Sequence, residues 1–286
     1  TGDAVEGKSG SIYMKMGTGN VGDGGRFELD VGDTTGEDGN GGSITVVAGH
    51  SNDPSGNNGG SISITAGHTK GSETSDDGGS ITVNAGLAAT GNGGNIDIAT
   101  GRSETTSSGA FTFTTPDAGS NGISGGFKFS TGTSSAGDSG SFVFKTGNAV
   151  GGKSGSFLLS VGSGNTGMGG NVDIVAGETT DEASGGSISI KTGHSTKTSS
   201  GHMVLETADA GSAGVSGSIQ VNTGTSSDGT SGSITLNTGH ATGGKGGDMV
   251  LSVGTGNKGT GGDVSITAGE TKDSETGGSI TIKTGY

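Results

Sequence analysis

Bulky apolar residues return along this chain at a fixed place in a recurring phrase, as in GGSITVVAGH at 41–50, GGSISITAGH at 59–68, SGSITLNTGH at 231–240 and GGDVSITAGE at 261–270. The first apolar residue of each phrase falls at Ile12, Phe27, Ile44, Ile62, Ile81, Ile96, Phe111, Phe127, Phe142, Phe157, Val172, Ile188, Met203, Ile219, Ile234, Met249, Val264 and Ile280. These eighteen anchors lie fifteen or sixteen residues apart almost throughout, with steps of seventeen to nineteen only between Phe27 and Ile81. Two residues past the anchor comes a second apolar side chain, such as Val46, Ile64, Phe113, Leu159 or Ile190, and four past it a smaller one, such as Ala48, Thr146 or Ala268. Apolar residues at i, i+2 and i+4 with polar ones between them are the period-two pattern of a strand with one covered face. No segment keeps a helical period.

Glycine frames each phrase. It stands two residues before the anchor in every unit, as at Gly42, Gly60 and Gly232, and five residues after it at Gly49, Gly67 and Gly239, with Pro116 and Ala208 as the exceptions. A glycine at the second place predicts a sharp turn through positive φ. The short return segments then bring each phrase back beside the last. The expected fold is an all-β, parallel β-solenoid (β-helix) of about eighteen coils of 15–19 residues, with a thin, flattened cross-section and no helices. At strand spacing, eighteen coils would make a rod of roughly 85 Å. Its core ladder would hold Ile44, Ile62, Phe111, Phe113, Phe127, Phe129, Phe142, Phe144, Phe157, Ile188 and Ile234. Seven of the eight phenylalanines fall within residues 111–157, which points to an aromatic core rather than a ligand pocket.

A longer period overlies the short one. GAFTFTTPDAGSNGISGGFKFSTGTSSAGDSGSF at 109–142 reappears in altered form at 201–234, and 170–194 reappears at 262–286. This defines a six-coil super-repeat at about 109–200 and 201–286, with a partial copy at 1–50, all within a single solenoid spanning 1–286. The chain starts in mid-unit and shows no polar cap, so it is expected to be a segment of a longer repeat protein or a filament protomer.

Composition narrows the possible chemistry. Glycine accounts for 68 of 286 residues, aromatics for 3%, and the formal net charge is −14. Such a composition ordinarily suggests disorder, but a disordered glycine-rich linker has no reason to hold an apolar triplet in register. With no cysteine, disulfides and thiolate metal sites are excluded. No apolar run is long enough to span a membrane. The acidic balance repels phosphate, so nucleic acid is not an expected partner. Gly-x-Gly strings such as GTGNVGDGG at 17–25 open no helix, so they make no phosphate-binding loop. No nucleophile-elbow spacing singles out a Ser–His–Asp set, and a non-catalytic protein is expected.

Two groups could bind metal. His50, His68, His194 and His240 each follow the turn glycine, where a solvated turn position is the plainer reading. Three successive long turns carry Asp33, Glu37, Asp38, Asp53, Glu73, Asp76 and Asp77, whose carboxylates could hold Ca²⁺, although a solvated acidic edge explains them as well. No other cofactor is implied.

The coil length and the Thr/Ser/Gly content resemble short-coil antifreeze solenoids. The outward positions, however, read Tyr13, Glu28, Asp97, Lys128 and Asp173 among others, which is a poor match to an ice lattice. Phrases of the SGSITLNTG kind also resemble surface and extracellular-matrix repeat proteins of diatoms and other algae, and adhesin-type repeats. That resemblance implies a structural or adhesive role outside the cell and assigns no functional residue. The expected function is therefore a structural element of an extracellular or cell-surface fibre, filament, sheath or adhesive. Stiffness would come from axial β-stacking, and assembly from end-to-end or lateral pairing with copies of itself. An ice-binding solenoid is the alternative, followed by a Ca-dependent adhesin or carbohydrate-binding solenoid. Val143 and Leu158, apolar at outward positions on neighbouring coils, are the expected lateral contact.

Overall fold

A computed structural model describes residues 8–53, 56–71 and 76–285. The chain divides into two units, Thr1–Phe144 and Lys145–Tyr286. Both are built from the same element, an extended phrase followed by a pinched loop.

The phrases are extended, as their period-two pattern requires. Around Phe27 the side chains of Arg26 and Glu28 meet on one side of the backbone, with Arg26 Nη2 3.3 Å from Glu28 Oε1. Around Phe127 the alternation shows on the other side, where the rings of Phe127 and Phe129 touch edge to face at 4.4 Å. Residues i and i+2 thus share a face, which is the geometry of a pleated chain.

The loops are closed by glycine. At eight anchors among the described residues the amide of the glycine before the anchor donates to the carbonyl of the glycine that ended the previous phrase. Examples are Gly42 to Gly32 at 2.9 Å, Gly60 to Gly49 at 2.8 Å, Gly79 to Gly67 at 2.8 Å and Gly94 to Gly86 at 2.9 Å in the first unit. Gly186 to Gly177 at 2.8 Å, Gly201 to Gly193 at 3.1 Å and Gly278 to Gly269 at 2.9 Å repeat the tie in the second. Each tie needs glycine on the donor side because the two backbones are in contact. A Cβ on Gly60 would stand 3.2 Å from the Gly49 nitrogen and 3.4 Å from the Ala48 Cβ. The same crowding explains the small residue four places past the anchor. Ala48, Ala66, Ala176 and Ala268 sit in the crook of the loop and are half-buried.

The β-solenoid expected from the repeat is not what the chain adopts. Among the described residues there is neither a β-strand nor a helix. A sheet needs successive backbone pairs along both segments. Here, among the described residues, at most one glycine tie joins the backbones across a loop, and no second backbone pair follows it. The aromatic contacts follow the same geometry. Phe113 and Phe127 approach to 5.6 Å next to the loop. A parallel ladder would instead stack Phe111 on Phe127 and Phe113 on Phe129, whereas Phe111 packs on Phe113 and Phe129 on Phe127, each two residues along its own segment.

The expected core ladder changes with the fold. None of the described residues is buried. Ile44, Ile62, Ile188 and Ile234 are covered on one side only, with Ile44 at 51% exposure, and the phenylalanines from Phe111 to Phe157 are exposed to a similar degree. The expectation that the closing glycines adopt positive φ is also corrected. Among the described residues positive φ occurs at Gly22, Gly56, Gly151, Gly167, Gly229 and Gly259, all within loops, and at Asp38. Gly49, Gly67 and Gly239 turn without it, and a Cβ on any of them would meet nothing within 4 Å. Pro116 and Ala208 can therefore stand at that place, while the glycine before the anchor never varies.

Hydrogen-bonded loops recur at the longer period. Ser103 Oγ accepts from the Thr106 amide at 2.9 Å, and Ser195 Oγ from the Thr198 amide at 3.0 Å. The Gly122 to Gly119 turn at 3.2 Å has its counterpart in Gly214 to Gly211 at 3.2 Å. These are local side-chain and turn bonds, of the kind that Ser, Thr and Gly form within a loop.

Candidate functional site

The most continuous feature of the first unit is a file of six phenylalanine rings. Phe111 and Phe113 meet edge to face at 4.5 Å, Phe113 and Phe127 are tilted at 5.6 Å, and Phe127 and Phe129 meet edge to face at 4.4 Å. The pattern continues with Phe129 and Phe142 tilted at 5.5 Å, and Phe142 and Phe144 edge to face at 4.5 Å. Edge-to-face contact places the positive rim of one ring on the negative face of the next, worth about 0.5–1.5 kcal/mol per pair beyond the area covered. The loops supply the register. Pinching the chain at Thr115 and Gly125 brings the second apolar position of one phrase beside the anchor of the next.

The same junction recurs near the start of the first unit, where Met14, Met16 and Phe27 line an open cleft of about 330 Å³. No titratable side chain lines it. The sequence pattern already placed these residues in the apolar columns, but the cleft appears only once the loop brings Phe27 back to Met14 and Met16.

The outward residues singled out for lateral contact are exposed, Val143 at 74% in the first unit and Leu158 at 85% in the second. Their expected adjacency depended on the solenoid and falls with it. Both lie in segments that are apolar on both sides, Phe142–Val143–Phe144 and Phe157–Leu158–Leu159.

Among the described residues no group of three His, Asp or Glu side chains is arranged to hold a metal ion. Asp33, Glu37 and Asp38 lie exposed around one loop, and Asp76 and Asp77 around another. Asp53 accepts a hydrogen bond from the Asn57 side-chain amide at 2.8 Å. Glu73 lies outside the described residues. His50, His68, His194 and His240 are exposed at loop positions. Elsewhere carboxylates serve their own loops. Asp181 accepts from the Glu182 amide at 2.8 Å, Asp273 from the Ser274 amide at 2.7 Å, and Asp248 pairs with Lys245 at 2.9 Å.

No helix among the described residues is long and apolar enough to cross a membrane. Compared with protein-family models, with curated proteins and with solved structures, the chain matches none.

Proposed function

We propose that this chain is a structural, non-catalytic component of an extracellular or cell-surface fibre, sheath or adhesive, and that it works by covering its periodic apolar face with further copies of itself. The observation that carries this reading is the area left open. The accessible surface is 28874 Å², against about 11,000 Å² for a compact monomer of this mass. A specific interface needs only about 1,200–2,000 Å² in total. Much of the open surface is apolar, with the anchors from Phe27 to Ile280 a third to a half covered and a continuous file of rings from Phe111 to Phe144. Exposed apolar surface on this scale calls for a covering partner.

A second copy is the partner that fits best, because only another chain with the same spacing can meet the apolar positions phrase after phrase. The acidic, Ser/Thr/Gly-rich, repetitive composition supports a place outside the cell. Stiffness in such an assembly comes from packed apolar faces between chains. Sedimentation over a range of concentrations, with negative-stain imaging of the same samples, tests the reading. Concentration-dependent assembly into filaments or sheets is expected, and assembly should weaken strongly in Phe127→Ser. A chain that stays monomeric at every concentration, or a Phe127→Ser variant that assembles as well as the parent, overturns it.

A further inference from the structure

Four asparagines in this chain precede glycine, at Asn40, Asn58, Asn92 and Asn121. The first three stand four residues before an anchor, the place that Asp77 holds in the loop between Asn58 and Asn92. All four are exposed. Asn40 differs from the others in its surroundings. Thr34 Oγ1 donates a hydrogen bond of 2.7 Å to the backbone carbonyl of Asn40. The loop that makes this contact is tightly turned. Asp38 is held at a φ of 70°, and Gly39 lies so close to the Thr34 γ-methyl that a Cβ would overlap it.

We propose that Asn40 is a spontaneous deamidation site, promoted by Thr34 and converting ahead of the other three. The Gly41 nitrogen, after losing its proton to solvent base, attacks Cγ of the Asn40 side chain. A C–N bond forms and the side-chain amide leaves as ammonia, giving a five-membered succinimide. Water then opens the ring at either carbonyl and leaves aspartate or isoaspartate at position 40. Water is the sole co-reactant, and no oxidant or reductant takes part.

Three observations favour Asn40. Gly41 has no side chain to obstruct the approach, and a Cβ there would meet nothing within 4 Å. Among the described residues the Gly41 amide donates no hydrogen bond, so its nitrogen is available. The carbonyl that accepts from Thr34 belongs to the same peptide group as that nitrogen. When the nitrogen is deprotonated, charge moves onto this oxygen, and a donor already in place stabilises the anion. Asn58 and Asn92 have a neighbouring glycine, but among the described residues no side chain donates to their carbonyls. At Asn121 the attacking group is engaged, because the Gly122 amide donates to the Gly119 carbonyl at 3.2 Å. The expected order is Asn40, then Asn58 and Asn92, then Asn121.

The experiment is peptide mapping by mass spectrometry of the intact chain aged at mildly alkaline pH in ¹⁸O-labelled water, where label uptake marks conversion through the succinimide. The parent should convert at Asn40 about twofold to tenfold faster than at Asn92, the range expected for one hydrogen bond. Thr34→Val should lower Asn40 to the Asn92 rate and leave Asn92 unchanged, while Thr34→Ser should keep it fast. In concentrated urea Asn40 should lose its lead. Equal rates in the parent, an unchanged rate in Thr34→Val, or a lead that survives in urea would each overturn the proposal.

Discussion

The amide of Gly186 donates to the carbonyl of Gly177 at 2.8 Å, and a Cβ placed on Gly186 would stand 3.1 Å from the Gly177 nitrogen. The two glycines are not equivalent. Gly177 has open space where a side chain would go and does not use positive φ.

Opposite outcomes are therefore expected at the two ends of the tie. Gly186→Ala pushes the segments apart and loosens the bond, so the amide at position 186 should exchange with solvent about threefold to tenfold faster, as for the loss of one net hydrogen bond. Gly177→Ala keeps the bond and removes freedom from the open chain, a gain of about 0.4–1 kcal/mol where the conformation is compatible. Hydrogen exchange read residue by residue checks both. Equal effects at the two positions would show that contact between the backbones is not what demands glycine.

The contrast also marks what could be read in the sequence. Glycine before every anchor was visible; at Gly186 and Gly60 its cause is the close approach to the Gly177 and Gly49 backbones, whereas at Gly125, Gly140 and Gly155 a Cβ would meet only a threonine side chain at ordinary contact distance. The clustering of phenylalanines was visible too, and the rings do meet in a file. The period-two pattern of Phe111, Phe113 and Thr115 predicts a paired strand, and the chain there is extended but unpaired. Alternation reports which side of an extended chain a residue takes, and carries no information on whether the backbone beside it is paired. Likewise Gly49 and Gly239 looked like positive-φ corners because glycine permits that conformation, but permission is not use. The Thr34 contact with Asn40 had no signal at all, since it depends on a loop that brings together residues six apart.

The aromatic file predicts a local response to substitution. Phe127 touches Phe113 across the loop and Phe129 along its own segment. In Phe127→Ala the part of the ring-current shifts of Phe113 and Phe129 that comes from the Phe127 ring should be lost, leaving the parts from Phe111 and Phe142, while the shifts of Phe142 and Phe144, which meet each other at 4.5 Å, should persist. Proton NMR at a concentration too low for assembly reads this directly. Unchanged shifts at Phe113 would mean that the two phrases do not meet around the Thr115 and Gly125 pinch.

Charge should govern the proposed association in a defined direction. Two copies carrying −14 each repel at low ionic strength, and salt shortens the reach of that repulsion to about 10 Å at 0.1 M. Assembly is thus expected to strengthen with added salt, and sodium and calcium salts at equal ionic strength should act alike. The carboxylates of Asp53, Asp181, Asp248 and Asp273 are already engaged within their own loops. Light scattering during salt titration makes the comparison. A sharp response to calcium far below the sodium concentration required would instead identify a carboxylate site that bridges chains.

Growth sideways requires further apolar contacts, and exposed apolar residues directly after an anchor include Val143 in the first unit and Leu158 in the second. Val143 lies between Phe142 and Phe144 in sequence, and the alternation that places those two rings together sends Val143 to the other side of the backbone. Leu158 holds the equivalent place between Phe157 and Leu159. A chain that pairs through its ring file therefore still exposes apolar side chains on the reverse side. The double substitution Val143→Lys with Leu158→Lys should leave the first pairing step intact, because it does not touch the file. It should weaken bundling of the paired chains, since each lysine would have to lose its hydration in an apolar contact. Sedimentation reads the pairing step and negative-stain imaging reads the bundles. Bundles of unchanged width in the double variant would exclude this surface as the lateral contact, whereas loss of pairing together with bundling would place both steps on one face.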